Sequence, residues 1–545
     1  MKTVSRMFLS SPGVMFAPLS KATVSSLWYW GMWLLGLLVV SVAFIVTMDT
    51  GSYLHSDEFV TLELGRVILN PDTDWSINWL VDQQQPVILF SYLGAVLQEL
   101  TYEYGGQYGP RVSSLFGALV ASTALVGWLL AKGTYRIAAF LLGMVFLLDP
   151  LIVQAFTIGR LDGWTMALCL SCCWIFVDTC NQLGELDPRI YTVRLLIAGS
   201  LACTALFIWP SAVFLFPLIT VELFNLVNKI RSDGGKLQEV IRPVLLFTAG
   251  AIITALLLLL PIAQLLFAQF SNALQSIKAN THSGSSEDPT SILQNSIGIV
   301  RALKFSPFVV LLAFMVVFRC RQSGYVFSSL VVLALMVSTL VYINRVQYLI
   351  PYFIVCISNL FQHQHDSETS RILRMSSLTL LLLWSIGLSL GLRTYLALDS
   401  QADRDRKLVS QAALSLVGPG DHKVYVPYEF YHSGRSLGWK MYRAYLAYGN
   451  PLTPEMLKKV LSHVDYVIML QPQLTKETNR ALIEEGWLDK GNFHLYNKPA
   501  EPFDGITTND IRVRNLYSIF QKPYGPYKLY VREKHYSFIT AGKLE

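Results

Sequence analysis

"LWYWGMWLLGLLVVSVAFIVTM" (27–48) runs for 22 residues without a single charge. At about 1.5 Å of rise per residue, a helix of that length crosses the roughly 30 Å hydrocarbon core of a bilayer. No small-residue cleavage site follows it, so it reads as a retained first span rather than a signal peptide. The pattern recurs along the chain. Of the 545 residues, 53% are apolar and only 15% charged, against about a quarter charged in a soluble globular chain. Apolar runs fall near 27–48, 109–131, 137–156, 162–180, 194–209, 211–228, 243–268, 305–319, 324–344, 347–361 and 376–396. The expectation is a mainly α, polytopic bundle of about eleven transmembrane helices. The segment "PVILFSYLGAVLQEL" (86–100) is about half a membrane thick and is expected to lie at the interface or to insert halfway.

Charge orients the bundle. With the N-terminus in the cytoplasm, the inside connections hold Lys132 and Arg136, Arg189, Lys229, Arg231, Lys236 and Arg242, Arg319 and Arg321, and Arg371 and Arg374. The short outside connections hold Arg160 and Arg345. This is the positive-inside pattern. A full span at 86–100 would invert every loop after it. The formal net charge of +6 is therefore read as cytoplasmic Lys and Arg, and the expected partner is a lipid bilayer, with no nucleic acid. An odd number of spans leaves the C-terminus outside.

Residues 399–545 have soluble character. "KVYVPY", "DYVIML", "FHLY" and "YKLYVRE" read as strands. "PEMLKKVLSHV" and "KETNRALIEEG" read as helices, with Thr453 and Thr475 as N-caps. The expected domains are a membrane domain, 1–398, with a large external loop, 49–108, and an extracytoplasmic α/β domain, 399–545. The outside loop 269–304 is rich in Ser, Asn and Gly. The seven cysteines, Cys169, Cys172, Cys173, Cys180, Cys203, Cys320 and Cys356, lie in or beside apolar segments. They read as small buried hydrophobes, not as a disulfide framework.

The first span is followed by "YLHSDEFVTLELGRVIL" (53–69). Val60, Leu64, Val67 and Ile68 share one face of an amphipathic helix. Asp57 and Glu58 stand at its start, where acidic groups favour the positive end of the helix dipole. They are also two carboxylates on an external face. "FTIGRLDGWTMALC" (156–169) brings Arg160 and Asp162 to the same side. Taken singly, Asp162 could be a helix cap, and Arg160 could pair with it or with lipid phosphate. Together the two loops supply carboxylates and an arginine to one rim, a set suited to deprotonating a hydroxyl and holding a phosphate. The sequence "QHQHDSE" (362–368), with His363, His365 and Asp366, reads as a solvated loop or a weak metal site. Tyrosines such as those of "KPYGPYKLYVREKHY" read as strand packing or as stacking surfaces for sugar rings.

The first 180 residues resemble the GT-C glycosyltransferases of the protein O-mannosyltransferase type, in particular the branch that includes the lipid A aminoarabinose transferase. The likeness rests on a series: a first span, the acidic pair of "HSDEF", the Pro-led helix "QQQPVILFSYLGAVLQEL", "GPRVSSLFGALVAS" with Arg111 and Gly117, "FLLDPLIVQ" with Asp149 and Pro150, and "GRLDGW" with Asp162. The resemblance implies an enzyme of the plasma (inner) membrane. It would take a sugar from a polyprenyl-phosphate donor and transfer it, with inversion, to a glycan, lipid or protein acceptor outside the cytoplasm. By the same resemblance Asp57 is the general base and Asp162 the second catalytic acid, with Glu58, Arg160 and Arg345 on the substrate side. The branch carries an acidic-basic pair before the proline where this chain has Gln84 and Gln85. A neutral amide is a poor metal ligand, so no metal ligand is assigned and a divalent cation is left open. The non-enzymatic alternatives are a transporter or flippase for a lipid-linked sugar and a membrane scaffold.

Overall fold

The computed structural model describes residues 21–48, 56–70, 91–263, 289–319, 323–338, 343–362, 368–399, 401–442, 461–471, 476–495 and 524–532, with residues 458 and 474. The chain divides into two compact units, Met1–Ala43 and Phe44–Glu545. The first helix is α1 (Lys21–Val46), which carries the opening apolar run. Then come α2 (Ser56–Leu69), α3 (Tyr92–Gly105), a 3-10 turn (Gly106–Tyr108), α4 (Gly109–Ala131), α5 (Arg136–Leu147), α6 (Pro150–Thr157) and α7 (Asp162–Asn181). They are followed by α8 (Pro188–Ile208), α9 (Phe216–Ser232), α10 (Leu237–Leu259), α11 (Pro289–Leu303), α12 (Pro307–Arg319), α13 (Ser323–Val337), α14 (Ile343–Val346) and α15 (Ile350–Ser358). Next, α16 (Glu368–Ile386) passes through a π turn (Gly387–Leu392) into α17 (Arg393–Asp399).

Among the described residues 7 helices are long and apolar enough to cross a membrane, or up to 9 if each bent pair counts as one span. The chain is a multi-pass membrane protein. Each expected span falls on an apolar helix, but three depart from a straight crossing, and a fourth, 305–319, is entered through a sharp bend. Gly324–Val337 and Gln347–Phe361 are short, and two runs are broken, α5 against α6 by 51° and α11 against α12 by 104°. Both breaks precede a proline, Pro150 and Pro307, and a residue before proline disfavours helical backbone. The expected loop 269–304 is corrected in the same way. Its second half is helical, and residues 264–288 lie outside the described ones.

The irregular backbone is tied down by side chains. Asp149 caps α6 through Leu151 N at 2.9 Å, and Ser306 Oγ, at the second break, donates to Asp149 Oδ2 at 2.6 Å. Ser389, in the π turn, donates to Leu148 O at 2.6 Å. Three irregularities thus satisfy one another, as non-helical backbone at membrane depth must when it is buried in protein.

The C-terminal part folds as α18 (Arg406–Leu416), β1 (Lys423–Tyr425), α19 (Tyr431–Ser436), β2 (Lys440–Tyr442), β3 (Tyr466–Leu470), α20 (Lys476–Glu484), β4 (Trp487–Phe493) and β5 (Tyr527–Arg532). The sheet order is β2-β1-β3-β5-β4. β1 is parallel to β2 and β3, while β5 is antiparallel to β3 and β4. The expected strand "FHLY" is displaced, for β4 ends at Phe493 where that strand was to begin. β4 has a polar, solvent-facing middle with a bulge between Asp489 and Asn492. Pairing with β5 makes it a strand, which its composition does not signal. Thr453 and Thr475 lie outside the described residues.

The sheet's core does not close on itself. Phe59 and Leu62 of α2 belong to the same buried cluster as Val424, Met441, Val467 and Val531. The Phe59 ring meets Tyr431 at 4.9 Å and 74°. Leu64, on another side of α2, packs with Ala95 of α3. The helix expected to be amphipathic is therefore buried from Glu58 and Phe59 through Thr61, Leu62, Glu63, Leu64 and Gly65.

Candidate functional site

The site forms where the N-terminal turn of α2 meets the turn between α6 and α7. Glu58 is fully buried and receives Arg111 of α4 through both oxygens, Nε at 3.3 Å and Nη2 at 3.2 Å. Arg111 is 1% exposed, so this is a buried, two-point ion pair whose desolvation is offset only by such geometry. The backbone of Gly159 lies directly against the pair. Its φ is +69°, and a Cβ there would fall 3.0 Å from the Glu58 carboxyl carbon. Only glycine suits both the left-handed turn and the close approach. Gln98 of α3 donates to Gly159 O at 2.8 Å and fixes the turn from the other side.

Three residues on, Asp162 opens α7 and is fully buried. Arg160 Nε donates to its Oδ2 at 2.6 Å, and the Tyr348 hydroxyl donates to its Oδ1 at 2.7 Å. The Arg160 guanidinium also lies 5.4 Å over the Trp209 ring. Two donors and a helix N-terminus orient the Asp162 carboxyl group. The turn is carried against α4 by close helix packing. A Cβ on Gly163 would fall 2.7 Å from Ala118 N, and one on Gly117 2.7 Å from Trp164 N. Small residues here let two membrane helices approach backbone to backbone.

A second polar link ties α3 to the C-terminal part. Arg435 of α19 grips both oxygens of Glu99, one of them at 2.8 Å. Its guanidinium stacks 4.0 Å over the Tyr102 ring. Glu222 belongs to a different network, accepting from Trp128 Nε1 at 2.9 Å and from the Tyr325 hydroxyl at 2.5 Å, with Lys132 3.7 Å away. Its partners account for this buried carboxylate without chemistry.

No family model matches the chain, and no curated protein matches it by sequence. Solved structures do match. ArnT from Cupriavidus metallidurans bound to undecaprenyl phosphate superposes with a TM-score of 0.55 at 11% identity, covering 84% of this chain and 96% of that one. The apo state of the same protein gives 0.50 at 13% identity, over 83% and 94%. The chain has the fold of ArnT. ArnT is a lipid A aminoarabinose transferase of the GT-C superfamily, so the fold implied by the sequence motifs is the one observed.

Within that ArnT fold, the expected site residues are distributed as follows. Glu58 and the Gly159–Asp162 turn come together, and Asp162 pairs with Arg160. The Asp57 backbone lies in the first turn of α2, and its side chain lies outside the described residues. Glu58 faces Arg111 inside the protein rather than a solvent-filled cleft. Arg345 is partly buried on α14, which packs against α6 and lies three residues before Tyr348. Tyr348, Gln98 and Gly159 were not singled out from the sequence. Arg111 was noted only as part of a motif, although a lone arginine heading an apolar span is itself a signal for a buried acidic partner. Among the described residues no group of three His, Cys, Asp or Glu is assembled to hold a metal. No step is drawn through a cation. His363, His365, Asp366, Gln84 and Gln85 lie outside the described residues.

Proposed function

We propose that the protein is a GT-C glycosyltransferase that moves a sugar from a polyprenyl-phosphate donor to an acceptor hydroxyl or phosphate on the extracytoplasmic side of the plasma (inner) membrane. The observation that carries this reading is the junction of Glu58 with the Gly159–Asp162 turn, inside a fold shared with a protein crystallised with undecaprenyl phosphate. In this reading Asp57 is the base. The acceptor oxygen attacks the anomeric carbon as its proton passes to the Asp57 carboxylate. The bond from that carbon to the phosphate oxygen breaks, and its electron pair leaves with the lipid phosphate. A single displacement inverts the anomeric centre.

The neighbouring residues take supporting roles. Glu58, locked by Arg111, fixes the first turn of α2 and hence the position of Asp57. Asp162, oriented by Arg160 and Tyr348, directs the acceptor. Arg160 and Arg345 are the cations assigned to the lipid phosphate. Residues 1–398 form the membrane domain and 399–545 its extracytoplasmic α/β domain, which shares its core with α2.

Transfer of radiolabelled sugar from synthetic polyprenyl-phosphate donors by the reconstituted protein tests the assignment. Asp57→Asn is expected to lower the rate about 10²-fold or more, the scale of lost general-base assistance. An Asp57→Asn protein with undiminished transfer would remove Asp57 as the base.

A further inference from the structure

A cavity of about 230 Å³ opens where the end of α3 and the 3-10 turn after it meet α18 and α19. Tyr102 and Gln107 line it from one side, and Arg406, Glu429, His432 and Tyr524 from the other. Ser410 and Ser433, bonded to each other at 2.9 Å, complete the wall, and Ser436 stands at the exposed rim.

The wall holds unsatisfied polar atoms. Both ring nitrogens of His432 and Nη1 of Arg406 are buried without a hydrogen-bond partner among the described residues. Buried polar atoms are ordinarily satisfied by protein, water or a ligand. A neutral imidazole offers one donor and one acceptor, the guanidinium offers donors, and Glu429 offers acceptors. Tyr102 and Tyr524 add aromatic surface, and the Tyr102 ring lies parallel to His432 at 5.5 Å and 10°. A carboxylate in the wall disfavours an anion, and the mixture of donors, acceptors and serine hydroxyls disfavours an apolar guest. A polyhydroxylated ring meets both conditions: each hydroxyl both donates and accepts, and its C–H faces suit aromatic planes. The cavity is also linked to the site described above through α3, whose Gln98 holds the Gly159 turn one helical turn before Tyr102 of the cavity wall.

We propose that this cavity is a saccharide-binding site that seats one sugar ring, and that the ring belongs to a glycan acceptor. The second half of that statement rests on the transferase reading, and the first does not.

The test uses the full chain in nanodiscs prepared without glycoside detergent, with methyl glycosides of glucose, mannose, galactose and N-acetylglucosamine as probes for saturation-transfer NMR. At least one glycoside is expected to bind. Glu429→Gln should weaken it about tenfold, the effect of one lost charge-assisted hydrogen bond. Ser436→Trp should abolish it by filling the mouth, and sodium phosphate should not displace it. The proposal is overturned if no glycoside binds, if both variants bind like the parent, or if phosphate displaces the sugar. Binding with these variant effects in a chain that transfers no sugar would uphold the cavity and remove the transferase reading.

Discussion

Glu58 and Arg111 show how the first turn of α2 is held in place. Both are withdrawn from solvent, at 0% and 1% exposure, and bond through two atoms each. Removing one partner leaves a buried unpaired charge, which costs about 3–5 kcal/mol. Arg111→Met is therefore expected to lower the unfolding midpoint sharply. Arg111→Met combined with Glu58→Gln should recover much of the loss, which thermal unfolding of the purified protein would reveal. Equal loss in the single and double variants would mean the pair is not coupled. The pairing of Arg160 with Asp162 was legible in the sequence because the two are neighbours. Tyr348 was not, because it reaches Asp162 from 186 residues away out of an apolar stretch in which its hydroxyl gives no local signal.

His432 gives the fold a pH dependence. Burial first, then the Arg406, Arg111 and Arg435 charges, hold its imidazole well below its ordinary range. Below the ordinary value near pH 6.5 the unfolded chain takes up a proton that the folded chain refuses, so stability falls as the pH is lowered. The slope from this residue is at most about 1.4 kcal/mol per pH unit. His432→Asn is expected to flatten the loss of thermal stability between pH 6.5 and 5. An unchanged profile would mean that the imidazole is protonated in the fold.

At the scale of elements, the approach of α4 and α7 sets the position of the Asp162 turn. A methyl group on Gly163 would meet the backbone nitrogen of Ala118 at 2.7 Å, and backbone cannot rotate aside. Gly163→Ala is expected to destabilise by about 1–3 kcal/mol, with reduced yield of folded protein. Gly31→Ala has open space around it and is expected to be neutral or slightly stabilising, since alanine is the better helix former. Thermal unfolding of both variants checks the contrast. The spans themselves were legible because hydrophobic length is a strong local signal. Their breaks were also marked, by Pro150 and Pro307, but the first was read through as part of one apolar run, 137–156, and the helix before the second was read as a polar loop. β4 was illegible because an edge strand with a polar middle is made by its partner. The apolar face of α2 was legible, for Leu64 and Ile68 pack with Ala95, but the burial of Glu58 and Glu63 on its other sides was not, because their partners lie far off in the chain.

At the scale of the whole molecule, the membrane helices and the C-terminal sheet are joined by a shared core and by charge. Phe59 and Leu62 sit among the sheet residues, and Arg435 holds Glu99. The external loop 49–108 and residues 399–545 were expected on one side from charge and hydropathy. That they share one core could not be read from either segment, because each supplies only half of the contact. α2 thus meets the Gly159–Asp162 turn through Glu58 and the C-terminal sheet through Phe59 and Leu62. A structure of the full chain with a bound polyprenyl phosphate would test the proposed site. The phosphate is expected beside the first turn of α2 and the Gly159–Asp162 turn, with the Asp57 carboxylate turned toward the position of the anomeric carbon. A lipid phosphate seated elsewhere in the fold, with Asp57 turned away from it, would remove Asp57 and Asp162 from the reaction.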